Sequence, residues 1–225
     1  MAALLSNAAV LLGKEVRTEF RSRELLSTTV VFVLIVVVVF SFTFDPTTNE
    51  SRRFGPGLLW MAFLFAASLM LQPCFLREQV NDTLSALRVA VQDPFAIFLA
   101  KIAANTLFLL VTELLMLPVF AALFNVSFRA QLPGILLTFF LGSMGISVVG
   151  TALAAISAQA RMRELLLPLL LLPLLTPILV VCTEVTIRLM QPDPAMEWKG
   201  IGLLAGFDLV FLTVLWLFGE YLLEE

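Results

Sequence analysis

Three carboxylic acids, Glu113, Glu184 and Asp208, stand inside stretches otherwise built from Leu, Val, Phe and Ala. An ionisable side chain in such surroundings is costly, so each is a candidate functional or partner-facing position. Two acids facing one another could perform general acid–base work, and an acid beside His or Cys could hold a metal. The spacing offers neither: the acids are scattered, and the 225 residues contain no histidine. There is therefore no histidine ligand for zinc, copper or haem and no Ser–His nucleophile pair. Haem held by this chain would need Met, Cys, Tyr or a ligand from a partner. No catalytic residue, metal site or cofactor is assigned. Glu113 is the deepest acid, and no cation stands at its level in the sequence. It reads as an acid hydrogen-bonded to a neighbouring helix, or as one paired with another subunit.

A second polar feature is the interval Arg77 to Pro94, REQVNDTLSALRVAVQDP, between two long apolar runs. At helical spacing Leu84, Leu87 and Val91 share one face, with Glu78, Asp82, Ser85, Arg88 and Gln92 elsewhere. Asp93-Pro94 ends the pattern, since a proline ring disfavours a helical residue before it. A surface helix here could pass a partner's movement to the spans on either side, or simply cover their ends. As a coupling surface it would use Arg77, Glu78, Asp82, Leu84, Leu87, Arg88 and Asp93.

The elements that must position these residues are membrane helices. Only 14% of residues are charged, 60% are hydrophobic and mean hydropathy is +1.00, whereas about a quarter of a soluble domain is charged. At about 20 apolar residues per crossing, five to seven spans use nearly the whole chain. No domain is left to bind and hydrolyse a nucleotide, and no GxxxxGK[ST] phosphate loop occurs. Net charge is −3, and the basic residues stand in small groups near span ends, which excludes a nucleic-acid surface. Cys74 and Cys182 fall near opposite bilayer faces. A disulfide needs α-carbons within about 7 Å, so two free thiols are expected.

Residues 1–24 read as an amphipathic surface helix rather than a signal peptide, because Lys14, Arg17, Arg21 and Arg23 follow its apolar part. Leu5, Ala9, Leu12, Val16 and Phe20 form a narrow apolar arc, and the basic residues face anionic lipid. Six spans follow, at about 25–44, 57–76, 95–124, 134–158, 164–187 and 201–223, with Pro56 starting the second and Trp60 near its interface. Lys101 places the first turns of the third span at the surface, its charge reaching the interface. In the fourth, Ser143, Ser147, Thr151 and Ala155 repeat every four residues beside Gly150, Ala154 and Ala158, a face that lets another backbone approach closely. The fifth carries Pro168, Pro173 and Pro177, each freeing a carbonyl one turn earlier. Kinks are expected there, with hydroxyls such as Thr176 satisfying freed groups. With the N-terminus inside, nine of the 14 Lys and Arg residues lie on the inner side, which puts both termini and residues 77–94 in the cytoplasm.

This layout, an all-α integral membrane protein with six spans, an N-terminal surface helix and a cytoplasmic coupling helix between spans two and three, resembles the membrane subunits of type-2 ABC exporters. The wording is closer to the CcmB family, the membrane subunit of the ABC system in cytochrome c maturation. The similar stretches are FGPGLLWMAFLFAASLMLQ (54–72), FLREQ (75–79), AIFLAKIAANTLFLLVTELLMLPVFAALFNV (96–126) and RMRELLLPLLLLPLLTPILV (161–180). The resemblance implies a permease in the cell inner membrane, driven by a CcmA-like ATPase that binds the ATP. CcmC-like and CcmD-like proteins and a CcmE-like haem chaperone are its implied companions. Haem would be handled by the complex rather than bound by this subunit alone, and a homodimer through the first and fifth spans is the expectation. Residues 80–85 and Val91 depart from the family, which usually has a more acidic stretch with a glycine, and a proline at the second place. A type-2 permease for another cargo, such as a lipid-linked glycan or drug, has the same layout. An intramembrane enzyme is the third class, and it would lose all activity on Glu113→Gln.

Overall fold

The computed structural model describes residues 2–43, 49–76, 94–125, 131–158, 163–191 and 197–224. Among them are seven helices and no strand: α1 (Ala2–Ser22), α2 (Glu24–Thr43), α3 (Asn49–Leu71), α4 (Phe95–Leu123), α5 (Leu132–Ala158), α6 (Arg163–Leu189) and α7 (Trp198–Glu224). The last six are each long and apolar enough to cross a bilayer. The coupling positions Arg77, Glu78, Asp82, Leu84, Leu87, Arg88 and Asp93 lie outside the described residues.

The sharp turn from α1 into α2 is made at Arg23, whose φ of 55° lies in the left-handed region. Glu19 closes the corner: its Oε1 accepts the Leu26 N–H at 2.9 Å, one of the donors that the first turn of α2 leaves unpaired. At the far end of α4, Asn125 takes the left-handed conformation (φ 51°) just past the last turn. Asparagine tolerates this conformation better than most residues.

α5 is the hub of the bundle, packed against α3, α4, α6 and α7. Its sequence explains why. Glycines along the helix let three neighbours come close: a Cβ at Gly142 would meet Trp60 of α3 and Cys182 of α6, at Gly145 Asp208 of α7 and Ile178 of α6, and at Gly150 Leu71 of α3. Ser143, Ser147 and Thr151 are fully buried, as expected of a small-residue face inside a membrane bundle. Beside it Trp60, Phe63 and Phe139 meet edge to face, with centroids 5.9, 5.7 and 5.8 Å apart. Such pairs add about 0.5–1.5 kcal/mol each to burial.

The structure differs from the sequence reading at several places. Trp60 is not at the interface but wholly buried, its indole N–H donating to Thr186 Oγ1 at 3.0 Å. A polar partner on α6 satisfies the ring where water was expected to. α3 starts at Asn49, so Pro56 lies within the helix instead of opening it. Helical winding continues outward through polar residues that hydropathy alone assigns to a loop. As the sequence reading had it, the fifth span carries its three prolines inside a single helix, α6, from Arg163 to Leu189. Thr176 donates to the Leu172 carbonyl at 2.7 Å, the neighbour of the Pro173 carbonyl that Pro177 frees.

Candidate functional site

The ends of α3 and α4 that flank residues 77–93 are tied together beneath α1. Only 3% of Lys101 is exposed, so its charge is held within the protein, under α1. Its Nζ donates to the Cys74 carbonyl at the end of α3, lies 3.3 Å from Glu15 Oε1 of α1 and stands 4.9 Å from the centre of the Phe75 ring. The physical reason is local. Leu4, Ala8, Leu11, Glu15 and Glu19 form one stripe of α1 that packs on the bundle, and this stripe brings a carboxylate over the lysine. The apolar arc read from the sequence is turned elsewhere at Leu5 and Phe20, which are exposed, as are Lys14, Arg17 and Arg21. α1 thus presents three surfaces: acids to the protein, apolar side chains outward and bases beside them.

From this tie, polar contacts continue along α4 into the hub. Asn105 donates to Thr151 Oγ1 of α5 at 3.2 Å and lies 3.6 Å from the Cys74 sulfur. Two turns further on, Glu113 is fully buried and its Oε1 accepts from Ser143 of α5 at 2.8 Å. One partner of Glu113 is therefore in its own chain, while its Oε2 is buried and has no hydrogen-bond partner among the described residues. Thr112 beside it lies 3.5 Å from Thr29 of α2.

The other two intramembrane acids are placed differently. Asp208 is 4% exposed, and among the described residues neither of its carboxyl oxygens has a hydrogen-bond partner. It rests against the α5 backbone, since a Cβ on Gly145 would stand 2.7 Å from its Oδ1. Ser143 and Gly145 point to different sides of α5, so Glu113 and Asp208 flank the hub without forming a pair. Glu184 is exposed and bonded to Arg188 at 2.8 Å; Arg188 also reaches Glu197 at 2.7 Å. Cys74 and Cys182 are free thiols. Among the described residues no three of the His, Cys, Asp and Glu type converge in a metal-binding group.

Residues that the sequence reading passed over are Glu15, Glu19, Asn105 and Glu197. A signal existed for the first two: they continue the i, i+4 stripe of Leu4, Ala8 and Leu11 on α1. Asn105 and Glu197 carried no comparable mark.

The chain matches the model of a protein family described as CcmB protein over residues 6–218. It is 34% identical over 173 residues to heme exporter protein B of Pseudomonas aeruginosa, covering 76% of this chain and 77% of the relative. It is 30% identical over 178 residues to heme exporter protein B of Rhodobacter capsulatus, covering 79% and 81%. To the protein of the same name from Haemophilus influenzae it is 28% identical over 154 residues, covering 68% and 69%.

Proposed function

The chain belongs to the CcmB family, and from that premise we propose that it is the permease subunit of an ABC transporter serving c-type cytochrome biogenesis, worked by ATP hydrolysis in a separate subunit. The observation that carries this is the match across residues 6–218, which takes in all or most of every span and the interval between the second and third. Its relatives are named heme exporter protein B, and haem, or a haem-loaded chaperone, is the cargo of the complex.

On this reading the ATPase, a CcmA-like protein, docks on residues 77–94 through Arg77, Glu78, Asp82, Leu84, Leu87, Arg88 and Asp93. A push there acts on the two helix ends that Lys101 binds to α1. α4 then carries the displacement to the hub through Asn105–Thr151 and Glu113–Ser143. Movement of packed helices across buried polar links proceeds between discrete arrangements, because close-packed interiors do not deform continuously. The nine-to-five bias of basic residues supports cytoplasmic termini in a multi-pass inner-membrane protein. CcmC-like, CcmD-like and CcmE-like proteins complete the assembly, and a second copy would meet this one through α2 and α6.

Expression in a bacterium lacking its own CcmB tests the proposal. Restored covalent haem in c-type cytochromes is the expected result. Correct membrane insertion and copurification of the host ATPase without any restored cytochrome would point to another cargo.

A further inference from the structure

Asp208 stands well inside α7, and its carboxyl group rests on the bare backbone of α5 at Gly145, beside Ile178 of α6. Both oxygens are buried, and among the described residues neither has a hydrogen-bond partner. A carboxyl group placed in this way costs free energy when neutral and far more when ionised. No cation on the helices packed against α7 is placed to neutralise it. α5 has no titratable side chain along its length. On α6 the titratable group nearest Ile178 in sequence is Cys182, a buried thiol that brings no positive charge. Arg188 lies ten residues from Ile178, about 15 Å along the axis, and is bonded to Glu184 and Glu197. Arg163 and Glu164 are further away at the other end of α6, roughly 20 Å along it. α4 offers only Glu113, itself an acid, and Lys101, which is engaged by Glu15 and the Cys74 carbonyl. On α7 itself Lys199 is nine residues away, about 14 Å, and Glu220 and Tyr221 are further still on the other side.

A proton on the carboxyl group removes the charge and adds an O–H donor to a group that otherwise only accepts. α7 is also free to respond to its loss. The outer face of the helix is exposed at Leu203, Leu209, Val210 and Val214, so nothing among the described residues blocks its movement away from α5. We propose that Asp208 is a proton-binding site on which the seating of α7 depends: the helix packs on α5 at Gly145 while the carboxyl carries a proton, and release of that proton drives it off. The hub of the bundle thereby gains a response to protonation that is separate from the ATP-driven movement and holds whatever the cargo. Gly145 is part of the device, because a Cβ there would stand 2.7 Å from Oδ1 and deny the carboxyl its seat.

The test uses the full chain, with any subunits that copurify, in a detergent free of ester groups, and reads the infrared carbonyl stretch of protonated carboxyl groups at neutral pH. Isotopic labelling of the aspartate carboxyl carbon shifts one such band. It belongs to Asp208, since Asp45, Asp82, Asp93 and Asp193 lie in the polar stretches between spans, and Asp208→Asn removes it. Seating is read by thermal unfolding from pH 4 upward. The folded chain holds a proton that the unfolded chain gives up at about pH 4, so stability is fullest below that pH and falls until the seat itself releases the proton. Over that window the unmodified protein loses about 3–5 °C of melting temperature per pH unit more than Asp208→Asn, in which an amide stands in for the protonated acid. In the unmodified protein the extra slope ends at the pH where the band disappears, a comparison that needs no variant to fold. An aspartate signal found only at the carboxylate frequency at neutral pH, equal pH dependence of melting in the two proteins, or a slope that continues unchanged past the loss of the band would each overturn the proposal.

Discussion

Single side chains in this protein are fixed by what lies beside them as much as by their own polarity. Lys101 was legible as an anomaly, a cation within an apolar run, but its solution was not: the carboxylate that meets it is 86 residues away on α1. Removing the lysine would take its donor from the Cys74 carbonyl and leave Glu15 only Lys14, half exposed and 3.6 Å away. Breaking a fully buried pair costs about 3–5 kcal/mol; because a fifth of the Glu15 side chain is exposed, Lys101→Met should cost roughly 2 kcal/mol by that scale. The double variant Glu15→Gln with Lys101→Met should recover part of the loss, and thermal unfolding in nanodiscs would measure both. Glu113 is the complementary case, since a Gln carbonyl can accept the Ser143 hydroxyl just as the acid does. Glu113→Gln should stay within about 1 kcal/mol of the parent, and Glu113→Leu, which strands that hydroxyl, should lose about 1–3 kcal/mol. If the glutamine variant folds normally yet abolishes cytochrome assembly, the carboxyl group itself is required and a purely structural Glu113 is wrong.

Helices are where the sequence was most readable, because a run of about 20 apolar residues has few other fates. Six long apolar helices lie close to where the six spans were expected, and the small-residue face of α5 marked it correctly as the buried hub. What hydropathy could not supply was the identity of each neighbour, which depends on shape. Gly142 illustrates the point: a methyl there would stand 2.6 Å from Trp60 Cζ3 and 2.9 Å from the Cys182 sulfur. Trp60 cannot yield easily, being wholly buried and bonded to Thr186. Gly142→Ala should therefore destabilise the bundle by about 1–3 kcal/mol, the usual cost of overpacking. Gly206→Ala, where no atom lies within 4 Å of the added carbon, should be neutral or slightly stabilising. Comparison of the two melting temperatures separates steric from helix-propensity effects. Were the Gly142 variant as stable as the Gly206 one, α3, α5 and α6 could not be packed as described.

At the scale of the whole molecule, the chain is a set of apolar helices joined by a few internal polar links, with no nucleotide-binding loop in its sequence. Composition and length led to the expectation of a chain powered by a separate subunit, and the similar stretches at 54–72, 75–79, 96–126 and 161–180 pointed to the family. The stretch proposed to receive the power, 77–94, contains the positions read as unlike the family, 80–85 and Val91, so its contacts could not be read from resemblance. Its function is therefore best tested directly, by placing a photoreactive amino acid at Leu87 in the assembled complex and identifying what it captures under ultraviolet light. The account predicts a cross-link to the ATPase subunit, lost when Leu84 and Arg88 are replaced by Asp and Glu, together with loss of cytochrome assembly. Capture of lipid or of a periplasmic protein by Leu87, with assembly intact, would contradict it.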